Sequence, residues 1–246
     1  MDTVFMKKVC LTLLLAIPVI AQADTNLGII AVKSEPLYKD MDSESTFLPN
    51  VGYEGEHFFL RLPEIGYRFL PKQSTQNMSV GLSYESTGFD PDDSNNANIR
   101  QLDDRDAGIM AFASYQLGPV TTKIAQDVSG EHDGYYAQIS AGYPIAAGAW
   151  TVIPSIAYRY IDSKMSNHLF GVSQAESART GGAINAYDTD AISSVRYGVR
   201  GIYPISKSLS LMLGINHTQF DKDILKSPIV EDNAITSVLA GVNLAF

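Results

Sequence analysis

The chain closes on AITSVLAGVNLAF, residues 234–246, where Val238, Ala240, Val242, Leu244 and Phe246 share one face. Ser237, Leu239, Gly241, Asn243 and Ala245 share the other. A period of two is the period of a strand, not of a helix. The same alternation returns upstream. In LSLMLGINHTQF, Leu209, Leu211, Leu213 and Ile215 oppose Ser210, Gly214, Asn216 and Thr218. In SVRYGVRGIY, Val195, Tyr197, Val199 and Tyr203 oppose Arg196, Gly198 and Arg200. In WTVIPSIAYRY, Trp150, Val152, Ile156, Tyr158 and Tyr160 oppose Thr151, Ser155 and Arg159. MSVGLSYES repeats the pattern with Met78, Val80, Leu82 and Tyr84. GYYAQISAGYPI and RDAGIMAFASYQL follow it more loosely. These segments run about 9–12 residues, against about 5–6 for an ordinary soluble strand, and match the length a tilted strand needs to cross a bilayer.

The face opposite the apolar one is polar, Gly-rich and in places charged. Aromatics gather near strand ends: Tyr84, Tyr115, Tyr135, Tyr136, Tyr143, Trp150, Tyr158, Tyr160 and Tyr203. They resemble interfacial girdles on an outward face. Connections alternate in length. Short turns fall at Gly118-Pro119, 146–149 and Ser206-Lys207, and long polar ones at 87–103, 161–191 and 221–233. Counted back from a periplasmic C-terminus, the long connections all fall on one side. The sequence therefore predicts an all-β protein, an antiparallel transmembrane β-barrel of about 10–12 strands. FFLRLPEIGYRF decides between the two counts: a bend at Leu62-Pro63-Glu64 makes it a hairpin, and Pro is rarely inside a paired strand. The hairpin gives about twelve strands, the preferred count, with both termini in the periplasm. The competing reading is a secreted β-sandwich or lipocalin-like barrel with its apolar face inward. Strand length and loop asymmetry oppose it, and in lipid only a closed barrel satisfies every backbone group of a sheet.

The start of the chain reads as a signal peptide over residues 1–23. Lys7 and Lys8 precede the apolar run Val9–Ile20, and Ala21-Gln22-Ala23 has a small-x-small cleavage pattern. The barrel then occupies residues 24–246. The single cysteine, Cys10, lies in the leader, so the mature chain has no disulfide. Removing Lys7, Lys8 and Asp2 leaves 16 basic against 26 acidic residues. That balance repels nucleic acid and excludes it as a partner.

The polar face carries charges expected to face the lumen: Arg61, Arg68, Lys123, Asp127, Arg159, Arg196 and Arg200, with Glu85 near an end. In a narrow barrel they pair and plug the interior; in a wider one they line a pore and favour anions. The acidic stretch Asp90, Asp92, Asp93, Asp103, Asp104 and Asp106 lacks the spacing of a calcium loop and reads as a solvated loop. It is placed to touch the divalent ions that bridge lipopolysaccharide. His57, His132, His168 and His217 fall on separate segments without metal spacing. Ser173 and Ser177 lie near His168 but read as turn residues. No catalytic, metal or cofactor site is expected.

Four stretches carry a family resemblance. GFDPDDSNNANIRQLDDRDAGIMAFASY (88–115), HLFGVSQAESARTG (168–181), KSPIVED (226–232) and PNVGYEGEHFFLR (49–61) resemble, in order, segments of the MipA/OmpV family of outer-membrane proteins. In KSPIVED, Lys226 stands where that family commonly has an acid. The resemblance implies an outer-membrane barrel in contact with lipid and lipopolysaccharide. It also implies a scaffold bringing a murein transglycosylase and a murein synthase together, with a porin-like channel or a surface adhesin as the alternative. The terminal strand ending on Phe246 resembles the signal by which outer-membrane barrels reach their assembly machinery.

Overall fold

A computed structural model describes residues 24–86 and 88–246; the predicted signal peptide lies outside the described residues. The strands are β1 (Asp24–Ser34), β2 (Glu44–Glu54), β3 (Phe58–Arg61), β4 (Glu64–Arg68), β5 (Gln76–Glu85), β6 (Gly108–Leu117), β7 (Val120–Asp127), β8 (Tyr135–Gly142), β9 (Ile145–Ala147), β10 (Trp150–Ile161), β11 (Ile192–Pro204), β12 (Leu209–Phe220) and β13 (Ala234–Ala245). All pairings are antiparallel, and β13 closes the sheet onto β1 from Asn26↔Ala245 to Ser34↔Ser237. β8 and β9 are one stave broken at Tyr143-Pro144, because both pair with β10. Pro154 of β10 sits opposite that break, and its carbonyl accepts the Tyr143 N–H at 3.3 Å. Both prolines thus lie where the ladder is already interrupted. The result is a closed 12-strand barrel. FFLRLPEIGYRF is a hairpin, with Arg61 opposite Glu64.

The staves are staggered. Hydrogen-bonded partners run from Asp24 at the start of β1 through Glu54, Phe59, Gly66, Gly81, Phe112, Ala125 and Tyr136 to Ile161 at the far end of β10. Such shear is what closing a tilted sheet requires. Two tight turns use glycine at positive φ: Gly118 (φ 54°) between β6 and β7, and Gly148 (φ 62°) between β9 and β10. Each is the first residue of a two-residue hairpin turn, where a side chain would be strained.

Outward positions are apolar: Leu27 and Ile29 on β1, Val80 and Leu82 on β5, Ile156 and Tyr158 on β10, Leu213 and Ile215 on β12, Val238 and Val242 on β13 are all exposed. In water so large an apolar surface would aggregate; against lipid tails it costs nothing. Tyr136 departs from the girdle expectation. It points inward and is 1% exposed, because its parity on β8 is opposite to that of Tyr135.

The buried core is not mainly inside the staves. It lies at the long-connection end, where Leu37, Phe89, Ile99, Phe170, Ile224 and Ile229 come from four different connections. These connections form a lid over one mouth of the barrel. The connection 162–191 contains two helices, α1 (Ser163–Phe170) and α2 (Gln174–Arg179).

Candidate functional site: the lumen and its lid

The lid is tied together at the end of α1. Asp162 caps the start of this helix by accepting the Met165 N–H at 3.1 Å. The last carbonyls of a helix have no partner within it. Here three other connections supply donors. The Tyr38 hydroxyl donates to the Leu169 carbonyl at 3.2 Å, the Ser227 hydroxyl to that of Phe170 at 2.6 Å, and Arg105 Nη2 to that of Gly171 at 2.9 Å. α2 begins with a capping box: the Ser173 hydroxyl accepts the Glu176 N–H, and Glu176 accepts the Ser173 N–H at 2.7 Å. Glu176 also pairs with Arg105 at 2.8 Å, both side chains nearly inaccessible. Burial alone would raise the Glu176 carboxyl, but the Ser173 N–H and the Arg105 guanidinium outweigh it and hold it below the usual range. Burial pushes the Tyr38 hydroxyl far above its ordinary value.

Inside the barrel one wall is filled. Glu54 receives both Arg61 and Arg68, whose guanidinium carbons lie 5.0 and 4.8 Å from the Phe59 ring centroid. Lys123 pairs with Glu64 at 2.5 Å and stands 4.2 Å from the Phe112 ring. Arg159 pairs with Glu85 at 2.5 Å and lies 4.1 Å over Tyr136. Arg61 is at the rim, with its side chain 58% exposed, whereas Arg68 is buried. Asp127 sits at the outer end of β7, where it is taken up by a turn: it accepts from the Ser129 hydroxyl at 2.6 Å and from the His132 and Asp133 N–H groups at 2.9 Å.

The opposite wall, from β10 round to β2, presents small and amide side chains. Asn243 accepts from Asn26 at 2.9 Å and from Asn50 at 2.8 Å. Arg196 and Arg200 project from β11 toward this open side. Arg196 Nε donates to Thr218 Oγ1 at 3.0 Å. Among the described residues, neither Arg196 nor Arg200 has a carboxylate ion pair, and both are solvent-accessible. A cavity of about 750 Å³ lies between the lid and the upper staves, lined by Arg159, Arg196, Glu85, Thr218, Phe170 and Leu239 among others.

The seven charges predicted for the lumen thus divide by role. Arg61, Arg68 and Lys123 pack the filled wall, Arg159 and Arg196 line the cavity, Arg200 lies further down the same strand as Arg196, and Asp127 anchors a turn. The carboxylates Glu54 and Glu64 that pair with the cations of the filled wall went unpredicted, as did Arg105, Tyr38 and Ser227. Only Glu176 had a legible signal, the S-x-x-E spacing of its capping box. Ser173 is occupied by that cap, and His168 Nε2 is hydrogen-bonded to the Asp106 carbonyl at 3.0 Å, so the two form no pair. Phe246 donates its N–H to Thr25 at 2.9 Å while its ring is 74% exposed on the lipid face.

A closed antiparallel barrel, apolar outside and polar within, is an outer-membrane β-barrel protein. The model of the family described as MltA-interacting protein MipA matches residues 27–246, and the chain belongs to that family. It is 27% identical to the putative outer membrane protein YiaT of Escherichia coli K12, over 95% of this chain and 96% of that protein. It is 26% identical to the MltA-interacting protein of the same organism over 92% of both. It is 28% identical to outer membrane protein OmpV of Vibrio cholerae, over 88% of this chain and 83% of that one. The protein belongs in the outer membrane. Three of the stretches that carry the family resemblance meet in the lid: Phe89, Ile99 and Arg105 from the first, Phe170 and Glu176 from the second, Ser227 and Ile229 from the third.

Proposed function

We propose that the protein is a non-enzymatic small-solute channel of the outer membrane, with an anion preference in its lumen and the four-connection lid as its gate. One observation carries this reading: among the described residues Arg196 and Arg200, on the open side of the lumen, have no carboxylate ion pair, while Arg61, Arg68, Lys123 and Arg159 are each paired with a carboxylate. Unneutralised cations along a wet passage lower the barrier for anions. The lid supports gating by its position, because four separate connections meet over one mouth of the barrel. Ser173 is engaged in a helix cap, and His168 and His132 in hydrogen bonds to backbone, which supports a non-enzymatic role. The test is liposome swelling with small anionic and cationic solutes. The anions enter faster, and Arg196→Glu with Arg200→Glu reverses the order.

A second reading rests on the relative called MltA-interacting protein. In it, the turn-bearing face docks a murein transglycosylase and a murein synthase. The turns available there are 55–57, 69–75, 118–119, 148–149 and 205–208, none longer than seven residues. Cross-linking in cells followed by retrieval tests it: the murein enzymes come down with the protein, and solute uptake is unchanged when the protein is lost.

A further inference from the structure

The barrel wall has a window. β3 and β4 contain only four and five residues, and their turn stops level with Val51 of β2 and Tyr84 of β5: Leu62 donates to the Val51 carbonyl at 3.2 Å, and Tyr84 to that of Pro63 at 3.0 Å. Beyond that point β2 continues to Glu44, paired with β1 alone. At the hairpin tip three strand spacings, about 14 Å, separate β2 from β5. Pro49 lies on this unpaired edge of β2, where its missing N–H removes no ladder bond. Leu48, whose parity turns it inward, is nevertheless 46% exposed. The gap is closed above. Met41 bridges Ser94, and Asn95 donates its N–H to the Asp40 carbonyl at 2.8 Å. The opening therefore has β2 and the end of β5 as its sides, the Leu62-Pro63 tip as its sill and the 40–41/94–95 junction as its lintel.

The window leads into the cavity, since Ser43 on one side and Glu85 and Ser86 on the other both line it. The outer surface around it is apolar: Phe47, Leu62, Ile65 and Tyr84 are exposed to lipid. The cavity itself is two-sided. Phe220 and Leu239 give it apolar surface beside the buried Leu37 and Phe170, and Arg196 with Thr218 and Asn216 forms a polar side. The connections add carboxylates, Glu35, Asp42, Asp90 and Asp93; Glu35 accepts the Thr236 N–H, Asp42 the Asn95 side-chain amide and Asp90 the Asp92 N–H. Arg159 is paired with Glu85, and among the described residues Arg196 is the lining guanidinium with no carboxylate ion pair.

We propose that the cavity binds a small amphipathic carboxylate, its acid group on Arg196 and its apolar body against Phe220 and Leu239, and that this ligand exchanges sideways with the outer leaflet through the β2–β5 window. The proposal rests on reading the cavity as a solute site. A guanidinium fork accepts a carboxylate in two parallel hydrogen bonds. A lateral opening lets an apolar tail reach the cavity without crossing water.

The probe is dansyl-undecanoate, titrated into the refolded protein in lipid nanodiscs. Saturable binding is expected, about tenfold weaker in Arg196→Gln and largely restored in Arg196→Lys, with undecanol failing to compete. Ser43→Trp combined with Ser86→Trp fills the window. It slows probe exchange from the membrane at least tenfold. Absence of saturable binding, or binding indifferent to Arg196 in a variant that still shows the folded-barrel band on an unheated gel, overturns the ligand assignment. Binding that survives with unchanged exchange in the window-filled variant overturns the lateral route alone. A barrel that neither conducts nor binds the probe removes the solute-site reading on which both depend.

Discussion

Arg105 and Glu176 meet at 2.8 Å inside the lid, joining the connection 86–107 to the connection 162–191. Neither side chain is appreciably accessible, so removing one partner strands a buried charge. Arg105→Met is therefore expected to cost about 3–5 kcal/mol of lid stability. The barrel below shares none of these bonds and keeps its folded mobility on an unheated gel. Limited proteolysis is the measurement: cleavage appears within 86–107 and 162–191. The double variant Arg105→Met with Glu176→Met is less destabilised than the sum of the two singles, as expected of a coupled pair.

Gly171 follows α1, and a Cβ there would fall 2.5 Å from the Asn167 carbonyl and 2.3 Å from its side-chain oxygen. Backbone cannot give way as a side-chain tip does. Gly171→Ala displaces the end of α1 and with it the carbonyls that Tyr38, Ser227 and Arg105 hold. An overpacking loss of about 1–3 kcal/mol is expected, read as faster amide exchange over 163–172 with unchanged exchange in β12 and β13.

His132 links the 128–134 connection to the lid. Its Nδ1 accepts the Gly134 N–H at 2.9 Å, which requires that nitrogen to be unprotonated. Burial lowers the imidazole, and His168 adds to this, while Asp127, Asp162 and Asp133 oppose it. A folded value below the ordinary one, about 6.5, means that the unfolded segment binds protons first. The stabilisation from neutral His132 is thus complete above about pH 6.5 and is lost as pH falls through the depressed folded value. Protease sensitivity of the 128–134 connection should rise on acidification. His132→Gln should flatten that rise.

The Phe246 ring packs against little, yet its backbone closes β13 onto Thr25. Phe246→Ala is expected to leave the refolded barrel within about 0.5 kcal/mol of the parent in detergent, as surface changes do. In cells it should reach the outer membrane poorly. Equal membrane yields for the two chains would remove the assembly role from this residue.

Fold and lumen differed in how far sequence alone reached them. Alternation along β11, β12 and β13 is strict because one face meets lipid and the other water, so register and facing were legible there. The β3–β4 hairpin was legible through Pro63, because Pro is rare inside a paired strand. Tyr136 was misplaced because the YY pair at 135–136 gives no parity of its own, and only pairing with Ala125 and Ile161 sets it inward. Lumen cations could be named, but their partners could not. Arg159 meets Glu85 across 74 positions and Lys123 meets Glu64 across 59, distances that no local pattern reports. The lid was least legible, since its core draws a few scattered residues from each of four polar connections and several of its bonds end on backbone carbonyls.

The most direct test is single-channel recording of the refolded chain 24–246 in a planar bilayer under a salt gradient. The account predicts discrete steps with an anion-selective reversal potential, larger or more frequent in Arg105→Met and shifted toward cations in Arg196→Glu with Arg200→Glu. A folded barrel that stays silent even when the lid is broken, or steps whose selectivity ignores Arg196 and Arg200, would contradict it.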